Sequence, residues 1–159
     1  RSYMEMFDEI FFSSTFGGET IGLAAAVATL RELRAKNVIE HIWSLGRKLK
    51  EGYAVLANEH GLHGYTECIG LPPRTVITFR DESGAESLAM KTLFQQECLK
   101  RGVLFSGGQN ICFSHSDADI DRTLRVFSSA LRVLREAVEG GNIASRLKGP
   151  VIEPVFRRP

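Results

Sequence analysis

Apolar residues recur every three to four positions along several stretches of this chain. Val38, Ile42, Leu45, Leu49, Tyr53 and Leu56 form one stripe, which predicts an amphipathic helix over 38–60 with Gly61 as its C-cap. Ile120, Leu124, Phe127, Leu131 and Leu134 form a second stripe. Ser116 precedes it as an N-cap, and Asp117 and Asp119 suit the positive end of the helix dipole. A third amphipathic helix is predicted over 85–101, ending at Gly102. Another helix, from Glu19 or Thr20 to about Ala35, is apolar on nearly every face and calls for burial on several sides. Between the helices, "HGYTECIG" (63–70) and "RTVITFR" (74–80) read as strands separated by Leu-Pro-Pro. Short strands are expected at 103–105 and 110–114 around the turn "SGGQ", and an extended segment at 7–13. The tail after Gly140-Gly141 is expected to be irregular and packed on the surface.

This order predicts an α+β fold, a small and largely antiparallel sheet covered by helices, with 38–60 as a long linking helix. The expected domains are 1–36, 37–60 as the linking helix, 61–140 as a small C-terminal domain, and 141–159 as a surface tail.

Charge narrows the partners. The formal net charge of +1 argues against nucleic acid or an anionic membrane surface, because the basic residues are scattered among acids. The apolar run from Ile21 to Leu30 is far short of the roughly 20 residues a bilayer span needs. Cys68, Cys98 and Cys112 are odd in number and far apart, which fits reduced thiols in a cytoplasmic protein. No metal is expected: His60 and His63 lack a third ligand, and Asp117, Asp119 and Asp121 lack the glycine and glutamate of a calcium loop.

The chemistry concentrates in "FSSTFGGET", residues 12–20. Three hydroxyls and two glycines stand directly before a helix, whose first amides and dipole favour an anion such as phosphate. The plainer alternative is that Ser13, Ser14 and Thr15 cap a turn and Gly17-Gly18 bend the chain. No GK[ST] follows, so this is not a P-loop.

The longer stretch "FDEIFFSSTFGGETIGLAAAVATLREL" resembles the class-III aminotransferases, which depend on pyridoxal phosphate, and among them glutamate-1-semialdehyde aminomutases and their aminotransferase relatives. "LGRKLKEGYAVLANEHGL", "GVLF" and "FSHSDADIDRTLRVFSSAL" are similar to the C-terminal portion of that family. The resemblance implies that Thr15, with Ser14 adjacent and Gly17 and Gly18 shaping the loop, donates to the phosphate of pyridoxal 5'-phosphate bound in the other subunit of a homodimer. It also implies a small-molecule amino donor and a carbonyl acceptor. Glu19-Thr20 stand where many relatives have Asn-Pro, and an acid there would repel a phosphate placed too near.

The family's Schiff-base lysine and its pyridine-facing acid lie upstream of the segment that resembles this chain. None of Lys36, Lys48, Lys50, Lys91, Lys100 and Lys148 carries the family's motif, so no catalytic residue is assigned. With Arg1 rather than methionine at its start, the chain is expected to be a C-terminal piece of a longer enzyme, inactive alone. Two other readings stay open: a free-standing phosphate- or nucleotide-binding module, and an α+β dimerisation domain using the apolar helix. Exposed in isolation, that helix is expected to promote self-association. His115, Arg74, Arg80 and the turn 106–110 are secondary candidates for lining a substrate cleft.

Overall fold

The structure, a computed structural model, describes residues 2–10 and 15–153. The chain divides into two compact units, 1–38 and 39–159.

The first unit begins with one helical turn, α1 (Ser2–Glu5), continued by a 3-10 turn over Met6–Asp8. The extended segment expected from residue 7 is therefore absent over 7–10, and residues 11–13 lie outside the described residues. Glu9 instead donates its amide to the Met6 carbonyl. Helix α2 spans Thr20–Ala35, within the bounds its sequence predicts. Within this chain no residue of α2 is buried. Ile21 is 79% and Leu23 54% exposed.

The second unit has the expected α+β architecture. Helix α3 spans Val38–Glu59. It ends in a Schellman motif, in which Gly61 donates to the Asn58 carbonyl and Leu62 to the Ala57 carbonyl. Gly61 takes φ +65°, which a glycine adopts without steric cost. Strands β1 (Thr66–Leu71) and β2 (Arg74–Phe79) form an antiparallel hairpin in which Leu71 faces Arg74 across Pro72-Pro73. β3 (Gly108–Asn110) pairs antiparallel with β2, giving the order β1-β2-β3.

Two expected strands are corrected here. Residues 103–105 form none, because Phe105 turns into the core while Leu104 is 87% exposed. Residues 111–114 also leave the sheet after one bond, from the Ile111 amide to the Pro73 carbonyl. The glycine-rich "turn" pairs with β2 instead: Gly108 faces Val76, and Gly107 accepts from the Ile77 amide.

Helix α4 (Leu88–Lys100) starts three residues later than its stripe predicts, because Ser87 caps it by accepting from the Met90 amide. Helix α5 (Asp117–Glu139) opens with a capping box in which Ser116 accepts from the Asp119 amide and the Asp119 carboxylate from the Ser116 amide. The tail, expected to be irregular, contains a short helix, α6 (Ile143–Arg146). It is tied to α4 by the Lys148 amide on Gln96 Oε1 and the Ile152 amide on Thr92 Oγ1.

The helices cover one face of the sheet. Thr75, Ile77 and Phe79 point inward from β2, while Arg74 and Val76 face out. Phe94 of α4 sits at the centre of the core, with ring centroids 5.2 Å from Phe79, 5.0 Å from Phe105, 5.3 Å from Phe127 and 6.2 Å from Tyr53. Such offset and edge contacts each add about 0.5–1.5 kcal/mol beyond burial. The buried Tyr53 hydroxyl donates to Thr66 Oγ1 (2.6 Å), which donates to the Thr78 carbonyl. Buried Glu97 is held by Lys100, Arg101 and Gln96. On α3, a Cβ at Gly46 would lie 2.1 Å from the Pro72 carbonyl oxygen, so the hairpin rests directly on helix backbone.

Candidate functional site

The sequence-predicted site lies in the first unit. Thr15, Phe16, Gly17 and Gly18 form an exposed turn immediately before α2, while Ser13 and Ser14 lie outside the described residues. The turn closes through the Glu19 amide on the Phe16 carbonyl at 3.1 Å. A Cβ built on Gly18 would meet nothing within 4 Å.

The next position changes the picture. Glu19 is the N-cap of α2, at φ −71° and ψ 119°, and its carboxylate folds over the first turn. Oε1 accepts from the Ile21 amide at 2.8 Å and Oε2 from the Gly22 amide at 2.5 Å. These are two of the donors that an anion at a helix N-terminus would use. The sequence reading placed an acid in this turn and missed that it caps the helix. The first-turn amides of Ile21 and Gly22 are therefore already occupied by the Glu19 carboxylate.

The secondary candidates gather in the second unit. Gln109, Asn110, His115 and Asp119 line one cavity of about 200 Å³ between the β3 segment and the start of α5. Thr75 donates its hydroxyl to Gln109 Oε1 at 2.8 Å, and Gln109 Nε2 donates to the Gly107 carbonyl, which fixes that side chain. His115 Nδ1 accepts the Cys112 amide at 3.0 Å, leaving its proton on Nε2. His41 Nε2 donates to the His115 carbonyl at 2.9 Å, and its ring meets Phe113 edge-on. That link joins positions 74 residues apart and left no sequence signal.

Cys112 is exposed, with Ser114 Oγ at 3.1 Å and His115 Nδ1 at 3.4 Å. The Ser114 hydroxyl and neighbouring amides hold its thiol below the ordinary value. Cys68 and Cys98 are buried, which pushes both thiols up, Cys98 to about 12. Cys112 and His115 stand three residues apart in the sequence, a spacing that by itself does not mark a ligand set.

Arg74 and Arg80 are exposed at opposite ends of β2 and do not converge. His60 bonds Ser128 Oγ at 3.0 Å, whereas His63 lines a separate cavity of about 630 Å³ between α3 and β1, with Arg47, Lys50 and Glu67. Among the described residues no group of three or more His, Cys, Asp or Glu is placed to hold a metal ion. Among them, too, no helix is long and apolar enough to cross a membrane. Lys36, Lys48 and Lys50 take surface partners, namely Glu32, the pair Asp117 and Asp121, and the Gly70 carbonyl, while Lys100 pairs with the buried Glu97.

No family model matches the chain. Over 158 residues it is 27% identical to a glutamate-1-semialdehyde 2,1-aminomutase of Halobacterium salinarum, an alignment covering 77% of this chain and 35% of that protein. It is 23% identical to a 3-aminobutyryl-CoA aminotransferase of Cloacimonas acidaminovorans, over 86% of this chain and 33% of that protein. The chain thus spans about a third of the length of the curated relatives it matches. Among solved structures, the FumI protein of Sphingopyxis sp. MTA144, in its PLP internal aldimine form, superposes at TM-score 0.68 with 23% identity over 83% of this chain and 31% of that one. An S-selective transaminase from Arthrobacter sp. with alanine bound does so at 0.67, with 18% identity over 84% of this chain and 33% of that one. A three-stranded antiparallel sheet packed under helices, with this sequence likeness, is the fold of the C-terminal domain of pyridoxal-phosphate transaminases, and the chain is similar in sequence to part of the aminomutases and aminotransferases built on it.

Proposed function

We propose that the chain is the C-terminal portion of a pyridoxal-phosphate-dependent aminotransferase or aminomutase, which moves an amino group between a small amine donor and a carbonyl acceptor. The observation that carries the reading is the convergence of sequence likeness and fold on that enzyme class over most of this chain. In this reading residues 1–36 end the cofactor domain, 37–60 link it to the small domain 61–140, and 141–159 form the tail. The enzyme is a homodimer, a proposal supported by the unburied apolar helix α2, and works in the cytoplasm, supported by the free thiols of Cys68, Cys98 and Cys112.

When bound, the cofactor supplies the electron sink for the reacting carbon. This chain's part is to hold and orient. The Thr15 hydroxyl donates to the phosphate of the cofactor bound by the partner subunit, with Ser14 beside it, and Gly17 and Gly18 keep side chains away from the approaching anion. The exposure of the turn and the open space at Gly18 support this role. Gln109 and His115, fixed by their hydrogen bonds, border the substrate. No lysine of the chain serves as the Schiff-base residue.

Titration of the full-length dimer, with its upstream cofactor domain, by pyridoxal 5'-phosphate and followed by 31P NMR tests the phosphate contact. Thr15→Val is expected to weaken binding by at least about tenfold, the scale of one hydrogen bond to a charged group. Equal affinity for the substituted and unsubstituted chains would refute the role of Thr15. Transamination by the chain alone would refute its dependence on an upstream lysine.

A further inference from the structure

We propose that the cavity between α3 and β1 is a binding site for a small zwitterion, a free α-amino acid with an aliphatic side chain. The proposal does not depend on the role given to the Thr15–Gly18 turn.

The cavity holds about 630 Å³, within the range of about 300–1,000 Å³ usual for small-molecule sites. Helical spacing builds one wall, since Lys50, Ala54 and Ala57 follow at steps of four and three residues along α3. The two alanines leave room that longer side chains would fill. Tyr53, Ala57 and Cys68, all buried, give the cavity an apolar floor.

The charges at the mouth do not cancel among themselves. Arg47 is engaged by Glu40 at 3.0 Å. Lys50 donates to the neutral Gly70 carbonyl at 2.8 Å and, among the described residues, meets no carboxylate. The carboxylates of Glu51 and Glu67 likewise meet no cation and no donor among the described residues. Glu51 cannot serve Lys50, because successive helix residues do not face each other. Burial is the main cause that raises the Cys68 thiol, while Lys50 acts to lower it and Glu67 to raise it. Both charges therefore stand within reach of the same floor.

This set of groups selects the ligand. A simple anion would find Lys50 but also two free carboxylates, and a simple amine would bring its charge against the Lys50 ammonium. A zwitterion satisfies both signs. Its carboxylate takes Lys50, its ammonium takes Glu67, and its aliphatic side chain displaces water from Ala54, Ala57 and Cys68.

Isothermal titration calorimetry of the full-length protein tests this with three ligands of one shape: L-leucine, 4-methylpentanoate, which lacks the ammonium, and 3-methylbutylamine, which lacks the carboxylate. L-Leucine is expected to bind, with each of the other two at least about tenfold weaker, the scale of one hydrogen bond between charged groups. Lys50→Met and Glu67→Gln are each expected to weaken L-leucine by a similar factor. Ala54→Trp fills the mouth of the cavity and is expected to remove this binding event. Ala54 and Glu67 are exposed and Lys50 is half-buried, so none of these substitutions enters the core. Absence of a saturable heat with L-leucine overturns the proposal, as do equal affinities for the three ligands. Binding of L-leucine that is unchanged in Ala54→Trp, or in either charge substitution, places the amino acid elsewhere and overturns it too.

Discussion

Helices α2 and α5 are both well specified locally, yet they do opposite things with their apolar residues. Each begins at a side-chain cap, Glu19 for α2 and the Ser116–Asp119 box for α5. Helix α5 gathers its apolar residues on one stripe and buries seven residues, among them Ile120, Phe127, Leu131 and Leu134. Helix α2 carries Leu23, Val27 and Leu30 on one side and Ile21 on the other, and buries none of them. Caps and alanine-rich propensity are enough to define a helix. Its contribution to stability needs a stripe and a surface to meet it.

Substitutions graded by size test this contrast. Phe94 touches four aromatic rings at the centre of the second unit. Phe94→Ala should cost about 3–5 kcal/mol in urea denaturation followed by Trp43 fluorescence. Next comes acid. Burial alone would raise the Glu97 carboxyl, but hydrogen bonds from Lys100, Arg101 and Gln96 outweigh it and hold the group at about 2, below the ordinary 4.5. A lowered folded-state value means the stabilisation is complete above pH 4.5 and is lost as pH falls toward 2. Denaturation midpoints at neutral pH and at pH 3 should show a loss of about 2 kcal/mol, and Glu97→Gln should remove that dependence.

Ser116→Ala opens the capping box and should cost about 1 kcal/mol by the same measurement. Smallest is Leu23→Gln, which keeps helix propensity and changes a side chain 54% exposed. A change below about 0.5 kcal/mol is expected. A loss for Leu23→Gln rivalling that for Phe94→Ala would erase the distinction between the two units.

Legibility in the sequence followed the range of the interaction. Helix α2 was readable to its ends because its signals are contiguous: glycines, an acid, then alanines. The α3 and α5 stripes and the Gly61 and Gly102 caps were readable for the same reason. The β3 segment was misread because "SGGQN" carries turn residues, and only the backbone of β2 makes Gly108–Asn110 a strand. Phe105 was assigned to a strand because an apolar triplet cannot say whether its neighbours are a ladder or a core. At the candidate site, Thr15 and the glycines were visible as a motif. The Glu19 clamp depends on a side-chain rotamer and on the bare Cα of Gly22 three residues on. The His41–His115 link has no local trace at all.

The contact between Gly46 and the Pro72 carbonyl sets a boundary on how this chain can drift. A single added methyl at position 46 has no room, since the atom it meets belongs to peptide backbone and cannot swing away as a side-chain tip would. The two-proline turn, itself stiff, offers no slack on the other side. Lineages descending from this sequence can rewrite the exposed flank of α3 freely. At position 46 they can change the residue only by rebuilding helix and hairpin together.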